Sequence, residues 1–212
     1  MKIFSESESN VLEEIILNRR DVRGNRFLDK QIPQAELDKI LQAAVNAPSV
    51  GFSQPWEFVI IKDKHKKAAI KANFDAAKQR EQTIFKESRE EQYQALKLEG
   101  IHEAPINIAV FYKPSCGPVL GQSQMQEAGL YSVVCAVQNM WLMSRALNIG
   151  LGWVSILEPD AVKKVLNAPS ENQLVAYLCL GYVDHFYTHP ELEKLHWEKR
   201  KDFSQLVFND TY

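Results

Sequence analysis

The 212 residues are 45% hydrophobic, 10% aromatic and 25% charged, a balance that builds a core without disulfides or structural metal and excludes disorder and miniprotein scaffolds. With 25 Lys and Arg against 27 Asp and Glu, the formal net charge is −2, so no overall field draws the chain to nucleic acid or to an anionic membrane. The start Met1-Lys2-Ile3-Phe4-Ser5-Glu6-Ser7-Glu8 is polar and acidic, and no apolar run is long enough to span a bilayer, so a cytoplasmic location is expected.

In chain order, Asn10 followed by Glu13 resembles an N-terminal cap, and Val11, Leu12, Ile15 and Ile16 share one face of a helix that runs to about Arg19,. Pro33 suits a first helical turn; Leu37, Ile40, Leu41 and Ala44 keep the period, and Pro48 stops it,. Phe58 to Ile61 is a strand. Asp63 to Leu98 is charged with sparse apolar positions (Ile70, Phe74, Ile84, Phe85), which predicts amphipathic surface helices forming a mobile cover,. Ile106 to Tyr112 is a second strand, and Pro114 to Gly129 a long loop,. From Leu130 to Leu147 apolar residues cover most of the helical circumference, as in a helix buried against a partner subunit,. Gly150 to Leu157 and Val175 to Val183 are apolar strands inside a sheet, separated by a short helix from Pro159 to Leu166,. The tail after Asp184 is polar and aromatic until a strand-like patch, Leu206-Val207-Phe208. The whole is expected to be one mixed α and β domain over residues 1–212.

Cys116, Cys135 and Cys179 are odd in number and far apart, which predicts buried free thiols and neither disulfide nor zinc,. The five histidines lack metal-ligand spacing, so no metal site is expected,. Neither a Walker A loop nor a Gly-x-Ser-x-Gly elbow is present. Three segments are unusual. Arg19-Arg20-Asp21-Val22-Arg23 sets three rigid bidentate donors at a helix end, a cluster that suits a phosphate or else faces water. Asp21 among them either neutralises the arginines or carries a shifted pKa for proton transfer. Ala47-Pro48-Ser49-Val50-Gly51-Phe52-Ser53-Gln54-Pro55-Trp56 is a turn that could approach a flat polar ring or merely connect helix to strand. In Gly152-Trp153-Val154-Ser155 a hydroxyl follows two glycines, where backbone can lie close to a cofactor.

Taken together, these three segments resemble the flavin-binding nitroreductase superfamily. More narrowly, Asp21 among the arginines and Ser155 after Gly-Trp-Val resemble its flavin-fragmenting 5,6-dimethylbenzimidazole synthase family. The resemblance runs from about Leu12 to Phe208. It implies an α+β nitroreductase-like fold with a central mixed β-sheet flanked by helices. It further implies a homodimer with a flavin at each interface, and an exchanged C-terminal tail within residues 185–212. By that resemblance FMN contacts Arg19, Arg20, Asp21, Val22, Arg23, Ser49, Gly51, Gln54, Leu98, Trp153, Ser155 and Arg200, with Asp21 and Ser155 catalytic. The tail departs from the family's form at Glu198 and Lys201-Asp202. The implied activity consumes reduced FMN as substrate with O2 as co-substrate and no metal, yielding 5,6-dimethylbenzimidazole, the lower ligand of vitamin B12, and erythrose 4-phosphate. NAD(P)H enters only through a separate flavin reductase. The alternatives are an FMN-dependent NAD(P)H nitroreductase or flavin reductase, and a non-catalytic FMN carrier.

Overall fold

The first helix of the computed structural model, which describes residues 2–212, starts at Ser5 and not at Asn10. The Ser5 hydroxyl accepts from Glu8 N and the Glu8 carboxylate accepts from Ser5 N, so two otherwise unpaired amides are satisfied reciprocally,. The helix α1 (Glu6–Asn18) buries none of its residues, and Val11, Leu12, Ile16 and Leu17 stay exposed. In α2 (Gln34–Val45) Pro33 takes the N-cap position, one residue ahead of the first turn expected for it. The helix closes at Asn46, before Pro48, and buries Leu37, Ile40 and Ala44.

Four strands, β1 (Trp56–Ile61), β2 (Ile106–Tyr112), β3 (Ile149–Val154) and β4 (Gln173–Tyr182), form one sheet in the order β1-β2-β4-β3. All three ladders are antiparallel, so the expected mixed sheet is corrected. The parallel element is a single isolated bridge between Asp21 and Leu151. Continuous apolar strands usually signal parallel pairing; here they arise because helices cover both faces of an antiparallel sheet. Ile106, Ile108 and Val110 of β2 face one core with α2 and the long helix α5 (Ala128–Ala146). Ala109 and Phe111 face a second core with α3 (Lys64–Gln82) and α6 (Pro159–Leu166).

The segment expected as a cover divides in two. Ile70 and Phe74 anchor α3 in the second core, whereas Ile84 is exposed and α4 (Ser88–Ala95) buries only Tyr93. The helix α5 buries Val133, Ala136, Val137 and Met140 against the sheet and leaves Tyr131, Val134, Cys135 and Gln138 exposed on its other face. Of the cysteines, all free, Cys179 alone is buried. Cys116 lies in an exposed loop and Cys135 on the outer face of α5, which corrects the expectation of three buried thiols.

After β4 the chain folds back over its own subunit. Arg26 lies 4.3 Å over the Tyr187 ring and Arg145 4.1 Å over Phe186, and a short helix, α7 (Glu191–Lys194), follows. Beyond Lys201 the apolar residues Phe203, Leu206, Val207 and Phe208 remain exposed. They form no strand: a single 3-10 turn covers Phe203–Gln205, because a strand needs a free sheet edge to pair with and this segment meets none. No helix among the described residues is long and apolar enough to cross a membrane.

Candidate active site

Two glycines of β3 let the arginine segment lie flat against the sheet. Val22 N donates to Leu151 O at 3.1 Å, and a Cβ on Gly152 would run into the Val22 carbonyl oxygen. A Cβ on Gly150 would come within 2.5 Å of Val183. The close approach read from these glycines is therefore made by the chain's own backbone at Val22. Gly152→Ala should cost about 3 kcal/mol, the upper end for overpacking, because the obstacle is backbone and cannot rotate away; urea unfolding measures it, and a loss below about 0.5 kcal/mol would contradict the packing.

This contact fixes Asp21. Its Oδ1 accepts from Trp153 N at 3.0 Å, and its Oδ2 pairs with Arg23. Arg23 also donates to the carbonyls of Leu98 (3.2 Å) and Trp153 (3.5 Å). Asp21 still meets the open cleft, with its side chain 30% exposed. Protein nevertheless surrounds the carboxyl, and burial raises its pKa more than the Arg23 charge and the Trp153 amide lower it,.

Around Asp21 opens a cleft of about 630 Å³ that gathers Arg19, Arg20, Arg23 and Arg200. Arg19 stacks 4.7 Å over Trp141, whose indole N–H donates to Arg20 O at 3.2 Å. Arg20 donates to Leu17 O and Arg19 O, both at 2.7 Å, and to Thr188 O at 2.5 Å. Its Nε is buried with no partner among the described residues. Burial, then the neighbouring charges of Arg19, Arg200 and Arg145, lower the Arg20 pKa, and the opposing charge of Glu193 does not offset them,. Neither Arg19 nor Arg20 forms an ion pair among the described residues. An orphaned guanidinium nitrogen beside unpaired arginines fits a phosphate group.

Other predicted site residues lie elsewhere. Val22 is buried, Leu98 offers its carbonyl to Arg23, and Trp153 packs 6.2 Å from Trp141. Ser155 follows the end of β3, exposed, with no hydrogen bond to its hydroxyl among the described residues, and does not line the arginine cleft. Ser49, Gly51 and Gln54 form a tight turn in which Gly51 (φ 55°), Phe52 (φ 53°) and Gln54 (φ 48°) are left-handed. Ser49 Oγ accepts from Gln54 N at 3.1 Å, and Val50 N donates to Ser132 Oγ at 3.0 Å, so hydrogen bonds hold the strained loop,. Gln54 lines a separate cleft of about 370 Å³ beside Tyr112 and Cys116. Within one chain, then, the phosphate-like site and this turn are not joined.

The structure adds residues that the sequence reading missed. Gln138 of α5 and the segment Thr188 to Glu193, with Ile16 and Leu17 of α1, form the remaining walls of the arginine cleft. Glu191 is half-buried there; burial raises its pKa, and the nearby Asp21 charge acts in the same direction against Arg23 and Arg26. The one available signal was Pro190 before Glu191-Leu192-Glu193, a helix start too short to show a period.

Comparison with known proteins follows the same outline. A 5,6-dimethylbenzimidazole synthase of Rhodospirillum rubrum is 39% identical over 201 residues, 94% of each chain. One from Rhodobacter capsulatus is 35% identical, covering 92% of this chain and 95% of its own. An iodotyrosine deiodinase structure with bound FMN and 3-iodo-L-tyrosine shares the fold at a TM-score of 0.76 and 23% identity, covering 95% of this chain and 100% of that one. Residues 16–182 match the nitroreductase family from the end of α1 to the end of β4, and with them the antiparallel sheet and its helices; the chain belongs to the nitroreductase family.

Proposed function

We propose that this chain is a 5,6-dimethylbenzimidazole synthase, an oxidoreductase that takes reduced FMN as its substrate and fragments it with O2, without a metal, to 5,6-dimethylbenzimidazole and erythrose 4-phosphate. The observation that carries this is Asp21, a half-buried carboxylate clamped by Trp153 N and Arg23 at the side of a cleft whose arginines have room for a phosphate. The high identity to synthases over nearly the whole chain supports the same reading.

Reduced FMN supplies the electrons for reaction with O2, and a separate NAD(P)H-dependent flavin reductase supplies reduced FMN. The protein's part is to bind, orient and move protons. Arg19, Arg20 and Arg200 hold the phosphate end. Arg23 and Trp153 N each hold one oxygen of Asp21, which fixes the orientation of the carboxylate that accepts a proton,. The Ser155 hydroxyl, without a hydrogen bond among the described residues, is available to bond the ring. The strained Ser49 to Gln54 turn reaches the ring of a flavin held by a second copy, in a homodimer that covers the apolar faces of α1 and α5 and receives the tail after Lys201.

Incubation with FMN, an independent NADPH-driven flavin reductase and air should yield 5,6-dimethylbenzimidazole by chromatography. Recovery of intact FMN and hydrogen peroxide alone would overturn the reading in favour of a flavin reductase or carrier. Deleting residues 203–212 should shift the protein from dimer to monomer in analytical ultracentrifugation and remove product together with it; an unchanged dimer would exclude the tail from the interface.

A further inference from the structure

The segment around α4 touches the tail through an aromatic socket that nothing in the Asp21 chemistry requires. Phe85 and Tyr93 stack with ring centroids 4.8 Å apart, and Trp197 meets Phe85 edge-on at 5.2 Å and Tyr93 at 6.2 Å. Arg89 lies 4.1 Å over the Trp197 ring and donates to Trp197 O at 2.7 Å. Tyr93 donates to Glu81 of α3 at 2.9 Å, which ties the socket to the core helix. To enter it the chain turns at His196 with φ 57°, a left-handed conformation that a non-glycine side chain adopts only when its surroundings enforce it,.

From the socket a bonded path leads to the cleft. Trp197 N donates to Leu192 O at 2.8 Å, and Arg200 N donates to Glu193 Oε1 at 3.3 Å. Leu192, Glu193 and Arg200 all line the arginine cleft. Arg200 itself is exposed, and its side chain makes no ion pair among the described residues, so its place depends on the backbone that carries it.

We infer that Trp197 is a positioning residue for substrate binding: seated between Arg89, Phe85 and Tyr93, it sets where Arg200 stands in the cleft, so recognition of the flavin's phosphate depends on α4. This rests on the reading that the arginine cleft receives the FMN phosphate. The phosphate is the handle for a test, because riboflavin presents the same ring without it.

Flavin fluorescence titrations compare oxidised FMN with riboflavin on the full-length protein. Trp197→Ala should weaken FMN binding about 10-fold, the worth of one charge-assisted contact, and leave riboflavin binding unchanged. Trp197→Phe, which still fills the socket, should restore most of the loss. Arg200→Ala should match Trp197→Ala, and the double variant should add nothing further, since both remove the same contact. Arg89→Ala, which leaves the aromatic residues in place, should show a smaller loss of the same selectivity and serves if Trp197→Ala folds poorly. Equal weakening of both flavins, an unchanged FMN affinity, or additive effects of Trp197→Ala and Arg200→Ala would each overturn the inference. Arg19→Ala separates the two readings. If it leaves the preference for FMN over riboflavin unchanged, the cleft is not the phosphate site and both fall; if it reduces the preference while Trp197→Ala does not, only the role of Trp197 falls.

Discussion

Asp21→Asn should bind FMN as the parent does and make about 10²- to 10⁴-fold less 5,6-dimethylbenzimidazole, the usual contribution of a positioned proton-transfer group. Asn has the shape of Asp, and its amide oxygen can keep the bond from Trp153 N that Asp21 Oδ1 accepts. Arg23 retains the carbonyls of Leu98 and Trp153. The arginines assigned to the phosphate do not rely on Asp21, so the change isolates the proton. A burial-raised pKa moves the acid limb of the parent's rate to higher pH than an ordinary aspartate would give, and the variant should lack that limb,. For stability the sign is opposite to the usual carboxylate case. The folded state binds this proton more tightly than the unfolded chain, so Asp21 costs nothing below its unfolded pKa and becomes destabilising as pH rises through the raised folded value,. Asp21→Asn should therefore melt at a higher temperature than the parent at neutral pH, with the gap closing in acid. Loss of flavin together with product, or a lower melting temperature at neutral pH, would make Asp21 a structural ion-pair partner of Arg23.

The parts of this molecule that local periodicity encodes were legible in the sequence. Leu37, Ile40 and Ala44 placed α2, and the apolar circumference of residues 130–147 placed α5 with an outer face that the structure leaves uncovered. Pairing direction was not legible, because β2 buries both faces and so reads the same in a parallel or an antiparallel sheet,. The start of α1 was misplaced since Asn10 and Glu13 imitate a cap that Ser5 and Glu8 make. At the site, Arg19, Arg20, Asp21 and Arg23 were legible by residue type and Arg200 only through the family resemblance, and the structure draws these five into one cleft across nearly the whole length of the chain. Glu191, Gln138 and the Trp197 socket were not found. Gln138 lies on the outer face of a legible helix with nothing local to mark it, whereas Glu191 and the socket are placed by aromatic and guanidinium contacts between the tail and distant helices, and contacts of that range leave no period in the sequence.

Arg19 and Arg20 are neighbours with different work, and their alanine variants should separate it. Arg19 donates to no oxygen among the described residues; its guanidinium lies on the Trp141 face, which orients the charge without consuming its donors,. Removing it should weaken FMN binding about 10- to 100-fold, the range for hydrogen bonds to a charged partner, while the thermal midpoint stays within a degree or two of the parent's. Arg20 spends its terminal nitrogens on Leu17 O and Arg19 O at the end of α1 and on Thr188 O in the tail. It closes the helix and pins the far wall of the cleft. Arg20→Ala should therefore lose about 1–3 kcal/mol of stability in addition to FMN affinity, because it removes three hydrogen bonds from a charged donor, one of them to the part-buried Arg19 carbonyl,. Arg19→Lys refines the comparison: it keeps the charge but not the planar fork, so it should recover only part of the affinity, and the part it recovers should shrink as salt is raised. Equal stability losses for the two alanine variants would mean that Arg19 also braces the fold, and the phosphate would then rest on Arg200 and the orphaned Nε of Arg20 alone.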